Sequence, residues 1–369
     1  MNTIRKAFFL AALLLLASGC MRPVRQKPNA AESAPTQTAE SAPTQTAETS
    51  PASSGAINTP GRHDHTISVS GAAREFIVYV PESAKGASNA PVVVVIHGTT
   101  GDGLRFYNMS GWREKADQEG FLVVFPTALT YCFYEDENRD GDFNDRNEKK
   151  VTTKWDAGPL GGERYPLCPQ DEIARLTPAE RALADHPLAD DMAFFQSLFD
   201  FMEANYSINS KRIYVTGHSN GGQMAGRLAV EMSERIAAGA SNESPLGVSG
   251  PSTRPISFIL TYGNQDDNFV RYSNGKPYPL DESLIDLQPV KTLLVSPWLS
   301  ALQLADEYEY SEGMIFGERY VQFTYASGSG SSFQLMFIDD LDHNYPNGKN
   351  HPVIMADILW KFFSQFQLP

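Results

Sequence analysis

An apolar run from Ala7 to Ala17 opens the chain, and large hydrophobic residues then become scarce until about Thr66. From there β-rich runs alternate with amphipathic ones. EFIVYVP (Glu75 to Pro81), PVVVVIHG (Pro91 to Gly98) and FLVVFP (Phe121 to Pro126) read as strands. The second is apolar without alternation, as a strand covered on both faces requires. Helices are predicted from near Ser110 and over Asp190 to Tyr206, the latter with an apolar stripe. RIYVTG is a further buried strand, with NGGQMAGRLAVEMSERI as the helix after it. PISFILTYG, FQLMFID and a last helix from about Pro352 to Phe366 complete the series. Strands alternating with helices predict a mostly parallel sheet with helices on both faces, in one α/β domain over residues 62–369.

The first 20 residues read as an export signal, with Arg5 and Lys6 ahead of the apolar run. That run is short of the roughly 20 apolar residues a bilayer span needs. It ends in LASGC, the pattern of a lipoprotein cleavage site, so Cys20 is the expected lipidated residue. An exported protein anchored by lipid to the outer membrane or cell surface follows, with Met21 favouring the outer membrane; an ordinary signal peptide, giving a periplasmic or secreted protein, is the alternative. Residues 21–61 carry AESAPTQT twice and no aromatics, a composition that cannot bury enough surface to fold, and read as a disordered spacer. A net charge of −14 argues against nucleic acid or an anionic lipid surface as partner, which leaves the lipid anchor as the membrane contact. Besides Cys20 the chain has Cys132 and Cys168. In an oxidising compartment these are expected to pair, closing a loop worth roughly 3–4 kcal/mol by chain entropy.

VTGHSNGGQMAG carries the chemistry. Gly217 to Gly221 satisfies G-x-S-x-G between a predicted strand and a predicted helix, the context of a nucleophile elbow in the α/β-hydrolase fold. The sharp turn lifts Ser219 Oγ off the sheet, with a helix N-terminus behind it to favour developing negative charge. In that fold the acid and then the histidine follow the serine along the chain. Of seven histidines, His343 and His351 lie beyond Ser219. His343 sits in a loop after FQLMFID and is the expected base; His351, directly before Pro352, is expected to cap or pack. Asp266 and Asp267, after PISFILTYG, are both open as the acid. The oxyanion donors are expected to be the amide of Asn220 and that of Thr99 or Thr100, in the glycine-rich turn HGTTGDG. His97 precedes the nucleophile and is expected to be structural.

HGTTGDG, GFLVVFPTAL, the aspartates of LADDMAFF and RIYVTGHSNGGQMAGRLA together resemble the polyhydroxybutyrate depolymerase and feruloyl esterase group of α/β-hydrolases. The resemblance spans most of Phe76 to Arg227 and returns at GNQDDNF and LDHNYPNG. It implies a serine ester hydrolase working through an acyl-enzyme, on feruloyl or acetyl esters of polysaccharide or on short hydroxyalkanoate esters. It also implies Asp266 as the acid, through a G-x-x-D pattern from Gly263. WDAG resembles a family segment beside the cleft, which makes Trp155 a candidate pocket residue, with packing as the role favoured over it. The adjacent aspartates correspond to Asp190 and Asp191, for which helix capping and dipole compensation suffice. A peptidase of the same fold is the runner-up, and an inactive binding lipoprotein is the alternative from another class.

DENRDGDFND, from Asp136 to Asp145, fits D-x-N-x-D-G, with Asp136, Asn138 and Asp140 at the first three ligand positions of a calcium loop. Asn147 stands where a strong site has glutamate. A solvated acidic insertion with Asx turns and a weak structural calcium site are both open. Catalysis by the triad requires no cofactor in either case.

Overall fold

The structure, a computed structural model, describes residues 58–136, 142–143, 148–328 and 330–369. The signal segment, Cys20 and the repeat-bearing spacer up to residue 57 lie outside the described residues, as do Asn138 and Asp140.

A ten-stranded sheet organises the domain, in the order β1-β2-β4-β3-β7-β8-β9-β12-β11-β10. Its middle is parallel: β4 (Leu122–Pro126), β3 (Ala90–Ile96), β7 (Ile208–His218), β8 (Ala238–Asn242), β9 (Ser257–Gly263) and β12 (Ser332–Ile338). Antiparallel strands close both edges, β1 (Gly61–Val69) and β2 (Ala72–Val80) at one, β11 (Glu318–Ala326) and β10 (Glu309–Ile315) at the other. The unbroken apolar run of β3 serves two cores. Val92, Val94 and Ile96 join one and Val93 and Val95 the other, because successive side chains leave a strand on opposite faces. On the first face lies the helix Asp191–Asn205, through Phe194, Phe195, Leu198 and Phe199; on the second lies Met355–Phe363, through Leu359, Trp360 and Phe363. This is the α/β-hydrolase architecture the sequence pattern predicts.

Where the pattern falls short, the reasons are local. β8 reads AGASN, five small buried residues with no hydrophobic signature. They are small because neighbours crowd them: a Cβ on Gly239 would come within 2.8 Å of the Phe258 ring. The helix after Ser219 runs Asn220–Glu231, shorter than the apolar pattern implies. The folded domain also starts before residue 62. Gly61 opens β1, and Asn58 is buried, its side chain donating to Ala87 O and Ser207 O and accepting from Ser207 N.

Between β4 and the helix Asp191–Asn205 the chain makes a long excursion. It contains a two-stranded sheet, β5 (Thr130–Tyr134) against β6 (Lys149–Thr153). The Cys132–Cys168 disulfide pins its return segment to β5, and Cys168 N also donates to Cys132 O at 2.9 Å. Ile173 and Ala184 pack around the bridge. No helix among the described residues is long and apolar enough to cross a membrane.

Candidate active site

β7 ends at His218, and the next residue starts a helix with no intervening loop. Ser219 therefore takes φ 54 and ψ −125, a left-handed conformation that costs a non-glycine residue of order 1–3 kcal/mol. Its amide is tied to Asn242 O of β8 at 2.8 Å. The turn closes because Gly221 has no side chain; a Cβ there would collide with the carbonyls of Ile96 and His97 at the end of β3.

His343 Nε2 lies 3.0 Å from Ser219 Oγ, and His343 Nδ1 lies 2.9 Å from Asp266 Oδ2. Asp266 is fully buried and is also held by Phe269 N, which donates to its Oδ1 at 3.0 Å. Asp267 is exposed at the start of the following helical turn. Of the two open acids, the fold therefore turns Asp266 toward the imidazole. Gly263 makes room for this, since a Cβ would strike Leu341 in the loop that carries His343. His351 points elsewhere, accepting from Val353 N and facing Asp339 O.

Asn220 is the first residue of its helix, where the amide has no acceptor one turn earlier. Its side chain is fixed by Trp155, accepting from Trp155 N at 2.7 Å and donating to Trp155 O at 3.1 Å. The expectation for the other donor divides. The Thr100 amide is committed to Thr153 O at 3.1 Å, whereas Thr99 lines the cleft over Ser219. His97 is fully buried, with Nδ1 on Gly98 O and Nε2 accepting from Ala128 N, and burial pushes its pKa down to about 4. It is a neutral strut.

Two readings of the sequence are corrected. Trp155 does not line the pocket. It is fully buried, its Nε1 donating to His97 O at 2.9 Å, and it packs behind the elbow against Phe194 and Phe195. Asp191 is more than a dipole compensator. It is buried against Arg74 at 2.6 Å and accepts from Asp156 N at 2.7 Å, so it ties the Trp155 loop to the second strand. Asp190 does cap the helix, accepting from Ala193 N.

Glu243 belongs to no motif in the sequence. It follows β8 at φ 59, fully buried, with Oε2 2.8 Å from His218 Nε2 and 3.7 Å from His343 Nδ1. Burial disfavours charge on both partners of the first contact: it drives the Glu243 carboxyl up, helped by Asp266, and drives His218 down. A second carboxyl group thus stands beside the imidazole that faces Ser219. Nothing in SNES resembles a motif; its position at the end of a parallel strand beside the nucleophile's strand is the one available signal.

The inner cleft encloses about 170 Å³ above Ser219. The excursion supplies Glu135, Lys154, Arg164 and Tyr165 to its wall, and the segment after Asp266 supplies Phe269 and Arg271.

No family model matches the chain. Among curated proteins it is similar to the bifunctional acetylxylan esterase/xylanase of Neocallimastix patriciarum, at 26% identity over 199 residues, 53% of this chain and 22% of that one. It is also similar to acetylxylan esterase A of Aspergillus ficuum, at 26% over 162 residues (44% and 39%), and to feruloyl esterase B of Talaromyces stipitatus, at 24% over 169 residues (45% and 35%). The matched part is thus well under half the length of each relative. Among solved structures, the acetyl xylan esterase of Aspergillus awamori superposes with a TM-score of 0.49 at 17% identity, covering 82% of this chain and 99% of that one. The S-formylglutathione hydrolase of Agrobacterium tumefaciens gives 0.45 at 16%, covering 84% and 95%. These relatives, acetylxylan and feruloyl esterases, lie on the feruloyl esterase side of the expected resemblance and are similar to this chain over about half of its length.

Proposed function

We propose that the protein hydrolyses carboxylic esters through an acyl-enzyme formed on Ser219. The observation that carries this is the chain of contacts from Ser219 Oγ through His343 to Asp266, at 3.0 and 2.9 Å. His343 removes the serine proton, Ser219 attacks the ester carbonyl, and the Asn220 and Thr99 amides receive the negative charge on its oxygen. His343 then gives its proton to the departing alcohol. In the second half it activates water, which releases the acid and restores the serine. Asp266 holds the imidazole in the tautomer that presents Nε2 as acceptor.

Acetyl and feruloyl esters of polysaccharide fit the named relatives, and short hydroxyalkanoate esters fit the sequence resemblance. A panel of aryl, acetyl, feruloyl and hydroxybutyrate esters, run with wild type and Ser219→Ala, tests this reading. Turnover of none, or turnover equal in the two proteins, rejects it. Export with a lipid on Cys20 is part of the proposal, carried by the LASGC run alone. A structural calcium in the acidic insertion likewise rests on the spacing of Asp136, Asn138 and Asp140.

A further inference from the structure

Lys154 follows β6 and is 4% exposed, yet it lines the same cleft as Ser219 and His343. Its Nζ donates to Thr99 Oγ1 at 3.3 Å and sits over the Tyr165 ring at 4.0 Å and the Phe133 ring at 4.8 Å. Among the described residues no carboxylate makes an ion pair with it. The contrast is with Arg74, the other deeply buried cation, which has Asp191 at 2.6 Å. A buried charge without a counter-charge is costly, and folds keep one only where something offsets it. Here the offset is incomplete: burial pushes the Lys154 pKa down to about 8, with Glu135 opposing the shift and Arg164 adding to it.

The surroundings point the same way. Arg164 and Arg271 line the cleft at its exposed rim, each resting over a tyrosine ring and neither in an ion pair among the described residues. Of the two carboxyl groups in the inner cleft, Glu243 is engaged by His218. In a chain with a net charge of −14, carboxylates are plentiful, and the cleft still leaves its innermost cation without one.

We infer that the cleft takes esters carrying a free carboxylate close to the scissile bond, and that the Lys154 ammonium binds that carboxylate. This rests on the serine-hydrolase reading above. The contact of Lys154 with Thr99 places the anion next to the turn expected to hold the reacting oxygen, so one side of the substrate is neutralised where the other is polarised. A carboxylate here would make a charge-assisted hydrogen bond with an ammonium that is itself buried, which is the setting where such bonds discriminate best. A uronate-bearing sugar and a hydroxy-acid oligomer both offer this group on the alcohol side of the ester, and a half-ester of a dicarboxylic acid offers it on the acyl side.

Two matched pairs of substrates separate the sides. Para-nitrophenyl glutarate, as the free acid, against para-nitrophenyl valerate places the carboxylate on the acyl side. Acetylated β-hydroxybutyrate against its amide places it on the alcohol side. In at least one pair the charged member should exceed the neutral one about tenfold in kcat/KM, chiefly through KM. Lys154→Met should erase that preference and Lys154→Arg should retain part of it. The preference should also shrink with added salt, and as pH rises through about 8, where the ammonium loses its proton. Glu135, Arg164, Arg271, Glu243 and His343 face the same space, so the pH effect is read as the ratio within a pair and is assigned to Lys154 only where the Lys154→Met protein lacks it. Equal kcat/KM within both pairs overturns the inference. So does a Lys154→Met protein that loses activity equally on both members, which would make the ammonium a prop for Thr99. Neutral esters turned over without any preference leave the serine-hydrolase reading standing; no turnover of any ester removes both.

Discussion

The two walls of the cleft differ in how they are made. One is a sheet edge: Ser219, Asp266 and His343 arrive at the ends of three parallel strands, with a sequence separation of 124 from the serine to the histidine that faces it. The other is one excursion between β4 and the helix Asp191–Asn205, held by a small hairpin and a disulfide. The sheet edge inherits its precision from two hydrophobic cores and tolerates almost no change in shape, as the carbonyl contacts around Gly221 illustrate. The excursion has a small core of its own around Cys132, Cys168, Ile173 and Ala184. The Ser219–His343–Asp266 contacts lie on the first wall, and two of the three cations that line the inner cleft, Lys154 and Arg164, lie on the second. Reaction type and substrate choice can therefore be perturbed separately.

The largest expected effect lies on the sheet edge. Ser219→Ala should lower kcat by at least about 10⁴-fold in a protein that keeps its circular dichroism and melting curve. His343→Ala should be nearly as severe because the group acts as a unit, whereas His351→Ala should cost less than about tenfold. A reversed ranking of the two histidine variants, measured with one activated ester, would reassign the base.

Glu243→Gln should come next. The amide keeps the shape and the contact with His218 but can never carry a negative charge. Glu243 ionises only as pH rises toward its elevated pKa, and its charge then stands 3.7 Å from Nδ1 of the imidazolium formed during attack. The ratio of wild-type to variant kcat should therefore grow with pH, reaching about tenfold, on the order of 1.4 kcal/mol. A ratio flat from neutral to alkaline pH would reduce Glu243 to packing.

On the excursion the expected effects are on stability. Replacing Cys132 and Cys168 by serine should cost roughly 3–4 kcal/mol and lower Tm by on the order of 5–10 °C, with the KM for a small neutral ester nearly unchanged. The smallest effect concerns the acidic insertion. If it holds calcium, levels above roughly 0.1–1 mM should raise Tm by a few degrees, and Asp140→Ala should abolish the rise. A melt indifferent to calcium identifies a solvated loop.

The same division explains what could be read from the sequence. Ser219 was legible because the elbow dictates glycines at fixed spacing, and His343 because topology dictates chain order. The central strands were legible because burial on both faces demands unbroken apolar runs. β8 was hidden because close packing under the elbow selects alanine and glycine, which carry no period. Glu243 was hidden because a lone carboxylate acquires meaning only when the fold brings two histidines to it. Trp155 stayed open between pocket and packing because proximity to the cleft along the chain does not say which way a side chain turns; the hydrogen bond to His97 O turns it inward.

The Arg74–Asp191 pair has a consequence for descent. Both side chains are 1% exposed and joined at 2.6 Å, across 117 residues of sequence. Loss of either partner alone strands a buried charge, at a cost typically of about 3–5 kcal/mol, and loss of Asp191 also frees the Asp156 amide that secures the loop behind Asn220. A lineage can abandon the pair only through a double replacement or a deeply handicapped ancestor. Among descendants of this gene the two positions should thus be inherited as one character, arginine with aspartate or neither, even while the cleft they lie behind diversifies.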